Sequence, residues 1–146
     1  MRLKQFLAGG SLLFIVGCGG EKTDILFECP SSDGSKIATL YQVSDGGRAI
    51  DRETKLNVRP VSTSFDDDMF SFSMRHGHDA IITWSADDQL EIIYPEDSVL
   101  THIENVIFGT SQTFSPNVRI RVSYREQAST HGYFMVEQRC FRTALK

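Results

Sequence analysis

A period of two constrains this chain more than any other feature. Residues 118–124, Val-Arg-Ile-Arg-Val-Ser-Tyr, alternate apolar and polar side chains without a break. Successive side chains of an extended strand point to opposite faces, so this run predicts a strand with one face on a core and the other in water. The pattern returns in Ile37, Thr39, Tyr41 and Val43 against Ala38, Leu40 and Gln42, in Leu56-Asn57-Val58-Arg59, and in Phe70, Phe72 and Met74 against Ser71 and Ser73. Pro60 puts the Leu56–Arg59 strand at a sheet edge, because proline has no donor for a ladder. Residues 80–84 and 90–94, separated by Ser85-Ala86-Asp87-Asp88-Gln89, predict a hairpin. Ile25-Leu26-Phe27 predicts an edge strand and Val106-Ile107-Phe108 a further one, while residues 30–35, 44–47 and 95–97 are turns and 48–55, 62–68 and 110–116 polar loops. Near the end, Tyr133-Phe134-Met135-Val136 fits a strand and residues 135–145 fit a helix, with the strand favoured. Seven or so short strands without a convincing amphipathic helix predict a mostly β fold. The expected architecture is a single antiparallel β-sandwich or small barrel, with room for one short helix near the C-terminus.

The N-terminal residues carry an address. Arg2 and Lys4 precede an apolar run of eleven residues, 6–16, against about 20 needed to span a bilayer. That is the form of a secretion signal. The run ends in Ile15-Val16-Gly17-Cys18, which resembles the lipobox of bacterial lipoproteins. The resemblance implies that the Cys18 thiol receives a diacylglyceryl group, that cleavage precedes Cys18, and that the new amine is acylated. Two or more acyl chains hold a protein on a membrane stably, where one does so only marginally. Residues 1–17 are then signal, 18–24 a lipid-anchored tether of at most about 25 Å, and 25–146 one β-rich periplasmic domain. Gly19, where inner-membrane lipoproteins of enterobacterial type tend to carry Asp, implies sorting to the outer membrane.

Loss of residues 1–17 leaves 129 residues, the common size of one domain, and moves the net charge from −4 to −6. An acidic chain of this kind excludes nucleic acid as the expected partner. With Cys18 lipidated, Cys29 and Cys140 remain in an oxidising compartment, and the two predict a single bridge; the alternative is two separate buried thiols.

Candidate chemistry is sparse. His76-Gly77-His78 places two imidazoles at i and i+2, on one side of an extended chain, where they would ligate one transition metal with Asp79, His102 or His131 completing the shell. The competing reading is an exposed turn. Asp66-Asp67-Asp68 lacks the alternate spacing, glycine and distal carboxylate of a calcium loop and reads as a solvated acidic loop. Arg119 and Arg121 project from one strand face, with Arg125 nearby, either to receive an anionic partner or simply to face water. Nucleophile elbows, phosphate-binding loops and zinc-hydrolase spacings do not occur in the sequence. No catalytic activity and no cofactor are expected.

Cys29 with Ser32-Asp33-Gly34, Trp84 with Leu90-Glu91-Ile92-Ile93-Tyr94, and the closing strand 118–124 resemble a family of small bacterial envelope proteins of unknown function, over about residues 29–126. Ser32 stands where that family has Pro, and residues 43–47 lack the family's second cysteine. The departure favours Cys140 as the partner of Cys29. Together these readings lead to an expected function: a non-enzymatic, lipid-anchored binding module with a periplasmic protein partner. Two alternatives are an immunity or inhibitor lipoprotein acting on a periplasmic toxin or wall hydrolase, whose cationic surface an acidic domain would suit, and a metal-binding module through His76 and His78.

Overall fold

Alternating side chains need two apolar faces to meet, and here two five-stranded sheets supply them. The computed structural model describes residues 21–44, 52–108 and 118–143. The signal segment, Cys18, most of the turn expected at 44–47 and the polar stretch at 110–116 lie outside the described residues. The first sheet contains β1 (Lys22–Pro30), β2 (Lys36–Ser44), β3 (Glu53–Pro60), β4 (Phe72–Arg75) and β7 (Leu100–Ile103), in the order β1-β2-β3-β4-β7. The second contains β5 (Ile81–Ala86), β6 (Gln89–Pro95), β8 (Val106–Phe108), β9 (Arg119–Gln127) and β10 (Cys140–Arg142), in the order β10-β5-β6-β9-β8. The sandwich is formed, not a closed barrel.

Its pairing differs from the all-antiparallel expectation. The first sheet is antiparallel throughout, but in the second β6 runs parallel to β9 and β10 parallel to β5. Between β6 and β9 the chain leaves for β7 in the opposite sheet and returns through β8, so β9 enters beside β6 in the same direction. Other boundaries move as well. β1 starts at Lys22, inside the expected tether, and β3 starts at Glu53, inside the expected loop. β3 is interior where Glu53–Leu56 pair with β4, and it has an open side only beyond, where Pro60 falls. No described residue is helical; of the strand expected at 133–136 only Tyr133 pairs, in a bridge to Thr130, and β10 forms further on, inside the stretch 135–145 that also fitted a helix.

The inward rows make one core. Ala38, Leu40, Leu56, Val58, Phe72 and Met74 of the first sheet meet Ile82, Trp84, Leu90, Ile92, Ile107, Ile120 and Val122 of the second. Phe70 departs from the row predicted for it. Its ring stands on the opposite side, edge-on to His102 and 4.2 Å below Lys55 Nζ. The first sheet is also covered from outside. Residues 62–68 fold back over Thr39 and Tyr41, with Phe65 edge-on to Tyr41 and the Tyr41 hydroxyl donating to Asp67 O. Arg59, 7% exposed, fastens this flap by donating to Thr63 O, Thr39 Oγ1 and Asn57 Oδ1 while pairing with Glu28 at 3.4 Å. A buried guanidinium must find such acceptors or its desolvation is uncompensated.

Cys29 and Cys140 form the bridge, with Cα atoms 5.5 Å apart. It ties β1, one edge of the first sheet, to β10, one edge of the second, closing that flank of the sandwich.

Candidate functional site

At one end of the sandwich the inward rows change from aliphatic to polar. Gln42 follows Leu40 and Thr54 precedes Leu56, and both reach the turn after β4. Gln42 Nε2 donates to Gly77 O at 2.7 Å and Thr54 Oγ1 to His78 O at 2.6 Å. Residues 76 and 77 are both left-handed, with φ of 70° and 62°, so the chain reverses between Arg75 and His78. The extended geometry that would align the two imidazoles therefore does not hold. Their ring centroids are 5.8 Å apart and tilted by 45°.

A second His-Gly turn packs against the first. His131 and Gly132 are again left-handed, at 52° and 83°, and Thr130 and Tyr133 exchange backbone hydrogen bonds across them. Two consecutive positive φ angles are what a two-residue hairpin turn requires, and glycine at the second position supplies one without strain. Asp79 N donates to Gly132 O at 2.8 Å, and the His78 ring lies flat against Gly132, where an added Cβ would come 2.3 Å from His78 Cδ2. A third turn, 95–98, completes the group, with Asp97 left-handed at 65°. These are the three non-glycine residues with positive φ among those described. Asp and His are among the side chains that most readily accept that conformation, so all three turns are of a type these residues suit.

The three turns enclose a cleft of about 450 Å³ lined by His78, Glu96, Asp97, Ser129, His131 and Gly132. Ser98 Oγ donates to Pro95 O at 2.6 Å, which uses its one proton, and it lies 3.3 Å from His78 Nδ1. The imidazole must then be the donor of that second bond. Nδ1 carries the proton, and Nε2 keeps its lone pair with no protein donor among the described residues.

Burial holds the His78 imidazole below the ordinary histidine range, and the neighbouring His76 adds to the effect. Protonating His78 is therefore harder in the folded chain than in the unfolded one. Above about pH 6.5 neither state is charged and the fold is unaffected; below it the unfolded chain takes the proton first, so stability falls with pH. The urea midpoint is expected to decline between about pH 7.5 and about pH 5.5 more steeply in the parent than in a His78→Gln variant. Equal slopes would contradict this.

Other candidates have plainer explanations. The ligand atoms of Asp66, Asp67 and Asp68 lie within 4.8 Å of one another, the one such group of three among the described residues. Yet Asp67 Oδ2 accepts from Thr23 Oγ1 at 2.5 Å and Asp66 Oδ1 from Asp68 N at 2.9 Å, so these carboxylates shape the flap. Asp79, one of the residues expected to complete a metal shell with His76 and His78, faces away from the cleft. It is 6% exposed and its Oδ2 accepts from Arg139 Nε at 2.6 Å and from Phe134 N, fastening the C-terminal crossing. His102 is on β7, 3.2 Å from Glu104. Arg119 and Arg121 alternate with buried Ile120 and Val122 on the exposed face of β9, Arg119 over the Phe108 ring and Arg125 paired with Glu91.

Glu96, Asp97 and Ser98 were missed as site residues, since nothing local connects them to His78. The repeated His-Gly dipeptide was the available signal, as both copies are turn sequences of the left-handed type. Comparison with family models, with curated proteins and with solved structures finds no match to this chain.

Proposed function

We propose that this protein is a lipid-anchored, non-enzymatic binding module of the bacterial envelope, attached through Cys18 to the outer membrane and docking a periplasmic protein partner. The observation that carries the docking is the crossing between β9 and β10. Phe134 turns inward onto Ile81 and Ile93, while Tyr133, Met135 and Val136 of the same segment, with Phe141 of β10, stay exposed, Met135 by 82%. Large apolar side chains concentrated on one exposed segment are a common mark of a protein-binding surface. The outward Arg119 and Arg121 offer a second contact row. Because β1 begins at Lys22, only three residues separate the lipidated cysteine from the sheet, a reach of roughly 14 Å over four chain steps. The partner therefore meets the domain close to the membrane.

A second reading, an immunity or inhibitor lipoprotein for a periplasmic toxin or wall hydrolase, draws on the acidic charge and on the flap that carries Asp66 and Asp68 at its exposed surface. Photo-cross-linking in intact cells distinguishes the two. A photoreactive residue at Met135 is expected to give one discrete adduct, whereas an adduct from the 66–68 flap alone favours the second reading. Cys18→Ser is expected to move the protein from the membrane to the soluble fraction. Absence of any adduct from Met135, Arg121 or the flap would remove the docking proposal, and membrane retention of Cys18→Ser would remove the anchor.

A further inference from the structure

We infer that a second cavity, on the bridged flank of the sandwich, receives the C-terminal carboxylate of a peptide whose last residue is apolar. The inference rests on the docking surface proposed above and names the part of the partner that this surface takes. The cavity holds about 400 Å³, within the range of small-ligand sites. Tyr133 lines it and also belongs to the exposed segment with Met135 and Val136, so cavity and docking surface share a residue.

Three features of the lining match three groups of one C-terminal residue. The first is charge. Arg52 is exposed, and its guanidinium has no hydrogen-bond acceptor and no carboxylate partner among the described residues. Its stem is held against the turn after β4, where a Cβ on Gly77 would lie 3.1 Å from Arg52 Cβ. Arg139 brings a second guanidinium. Its Nε donates to Asp79 Oδ2 at 2.6 Å and its Nη2 to Phe134 O at 3.3 Å, which orients the group and leaves Nη1 without an acceptor among the described residues. Asp79 borders the cavity too, but its oxygens are taken up by Arg139, Ala80 N and Phe134 N. Two guanidiniums against one carboxylate leave the lining at +1, in a chain of net charge −4. An anion is drawn to such a spot, and a carboxylate is the natural partner of a guanidinium.

The second feature is an acceptor. Gln42 Nε2 donates to Gly77 O at 2.7 Å and lies 3.4 Å from Thr54 Oγ1, whose own proton goes to His78 O. Both amide protons are thereby committed. Oε1 is left with no donor among the described residues, in a side chain that lines the cavity and suits a peptide N–H. The third is an apolar wall. The register of β1 against β2 passes from Ile25 to Phe27 and skips Leu26. Neighbours on a regular strand point to opposite faces, but this bulge brings both Leu26 and Phe27 to the cavity, beside Tyr133. A C-terminal apolar residue carries a carboxylate, an N–H and an apolar side chain together. An internal Asp or Glu does not, because its carboxylate occupies the side chain that would meet the wall.

The test is a nitrogen-15 NMR titration of the purified protein with N-acetyl-leucine, which has those three groups and little else. Saturable amide shifts are expected at residues 26, 27, 42, 52, 133 and 139, with a Kd in the low-millimolar range that a ligand of about a dozen non-hydrogen atoms attains. N-acetyl-leucinamide, with its carboxylate capped, and the α-amide of N-acetylglutamate, with its carboxylate on the side chain, should each bind at least about 10-fold more weakly. Arg52→Gln should weaken N-acetyl-leucine binding by a similar factor without moving the urea midpoint, since Arg52 makes no hydrogen bond or ion pair among the described residues. Leu26→Ser should reduce the preference for N-acetyl-leucine over N-acetylglycine. Lys36→Gln, which removes a cation from the other end of β2, should change nothing. The inference is overturned by the absence of saturable shifts, by shifts centred elsewhere, by equal binding of either carboxylate control, or by indifference to Arg52→Gln. Docking itself fails separately: it is removed by the missing cellular adducts whatever N-acetyl-leucine does, whereas absent N-acetyl-leucine binding removes the cavity and leaves a Met135 adduct standing.

Discussion

Reducing the Cys29–Cys140 bridge is expected to lower the unfolding free energy by about 4–5 kcal/mol, a large share of what a domain of this size possesses. The magnitude follows from the loop that the bridge closes. Its ends are separated by 111 residues, nearly the full domain, so an open unfolded chain gains almost all the freedom that a cross-link can remove. Native strain and residual structure in the unfolded chain act to reduce the figure. The local consequence follows from position. β10 has three residues and one neighbour, β5, and Thr143 N donating to Trp84 O extends the same edge. Without the covalent link that edge has little to hold it, and Cys140–Arg142 should lose hydrogen-exchange protection before β2 or β6. Guanidinium unfolding with and without reductant checks the first point, and amide exchange of the reduced chain the second. An unchanged midpoint on complete reduction, with two titratable thiols, would overturn the prediction.

Much of this was legible where a strand is wet on one side. On β9 the alternation of Arg119 and Arg121 with Ile120 and Val122 translates directly into outside and inside, and the hairpin of β5 and β6 is marked at both ends. The bridge was legible too, because the lipidation proposed for Cys18 leaves only two candidates. β2 was harder. Its Thr39 and Tyr41 face is buried by the 62–68 flap, whose acidic residues suggest water while Phe65 in its middle does the packing. The rule about proline and sheet edges applied to Pro60 locally, not to the whole of β3, because β4 pairs only with the first half of that strand. Parallel pairing of β6 with β9 had no local sign at all, since it depends on where the chain goes between them. The cleft shares that character. His76 and His78 stand out in the sequence as a pair, but what surrounds His78 arrives on the 95–98 and 130–133 turns, from separate parts of the topology. Local pattern identified one wall of the site, and tertiary structure the other two.

Trp84→Ala is expected to cost about 3–5 kcal/mol, the range for removing a fully buried aromatic side chain. Trp84 is completely enclosed, sits opposite Leu90 in the β5–β6 pair, and lies one strand in from the bridged edge. Two effects separate under a milder change. Trp84→Phe keeps much of the apolar volume but deletes the Nε1 proton that Cys29 O accepts at 2.8 Å, in a buried setting. An orphaned buried acceptor costs about 1–3 kcal/mol, so Phe should account for a substantial part of the alanine loss and not be neutral. The tryptophan and the bridge meet at one residue: Cys29 offers its carbonyl to the indole and its sulfur to Cys140. Their effects should therefore not add. With the bridge reduced, Cys29 is freer to move, its carbonyl reaches other donors, and Trp84→Phe should cost less than it does in the oxidised protein, by more than about 0.5 kcal/mol. Chemical denaturation of the parent and of Trp84→Phe, each oxidised and reduced, closes the cycle. A coupling energy indistinguishable from zero would mean that the indole and the disulfide stabilise this flank independently, and that the bond to Cys29 O does not hold the bridged strand in position.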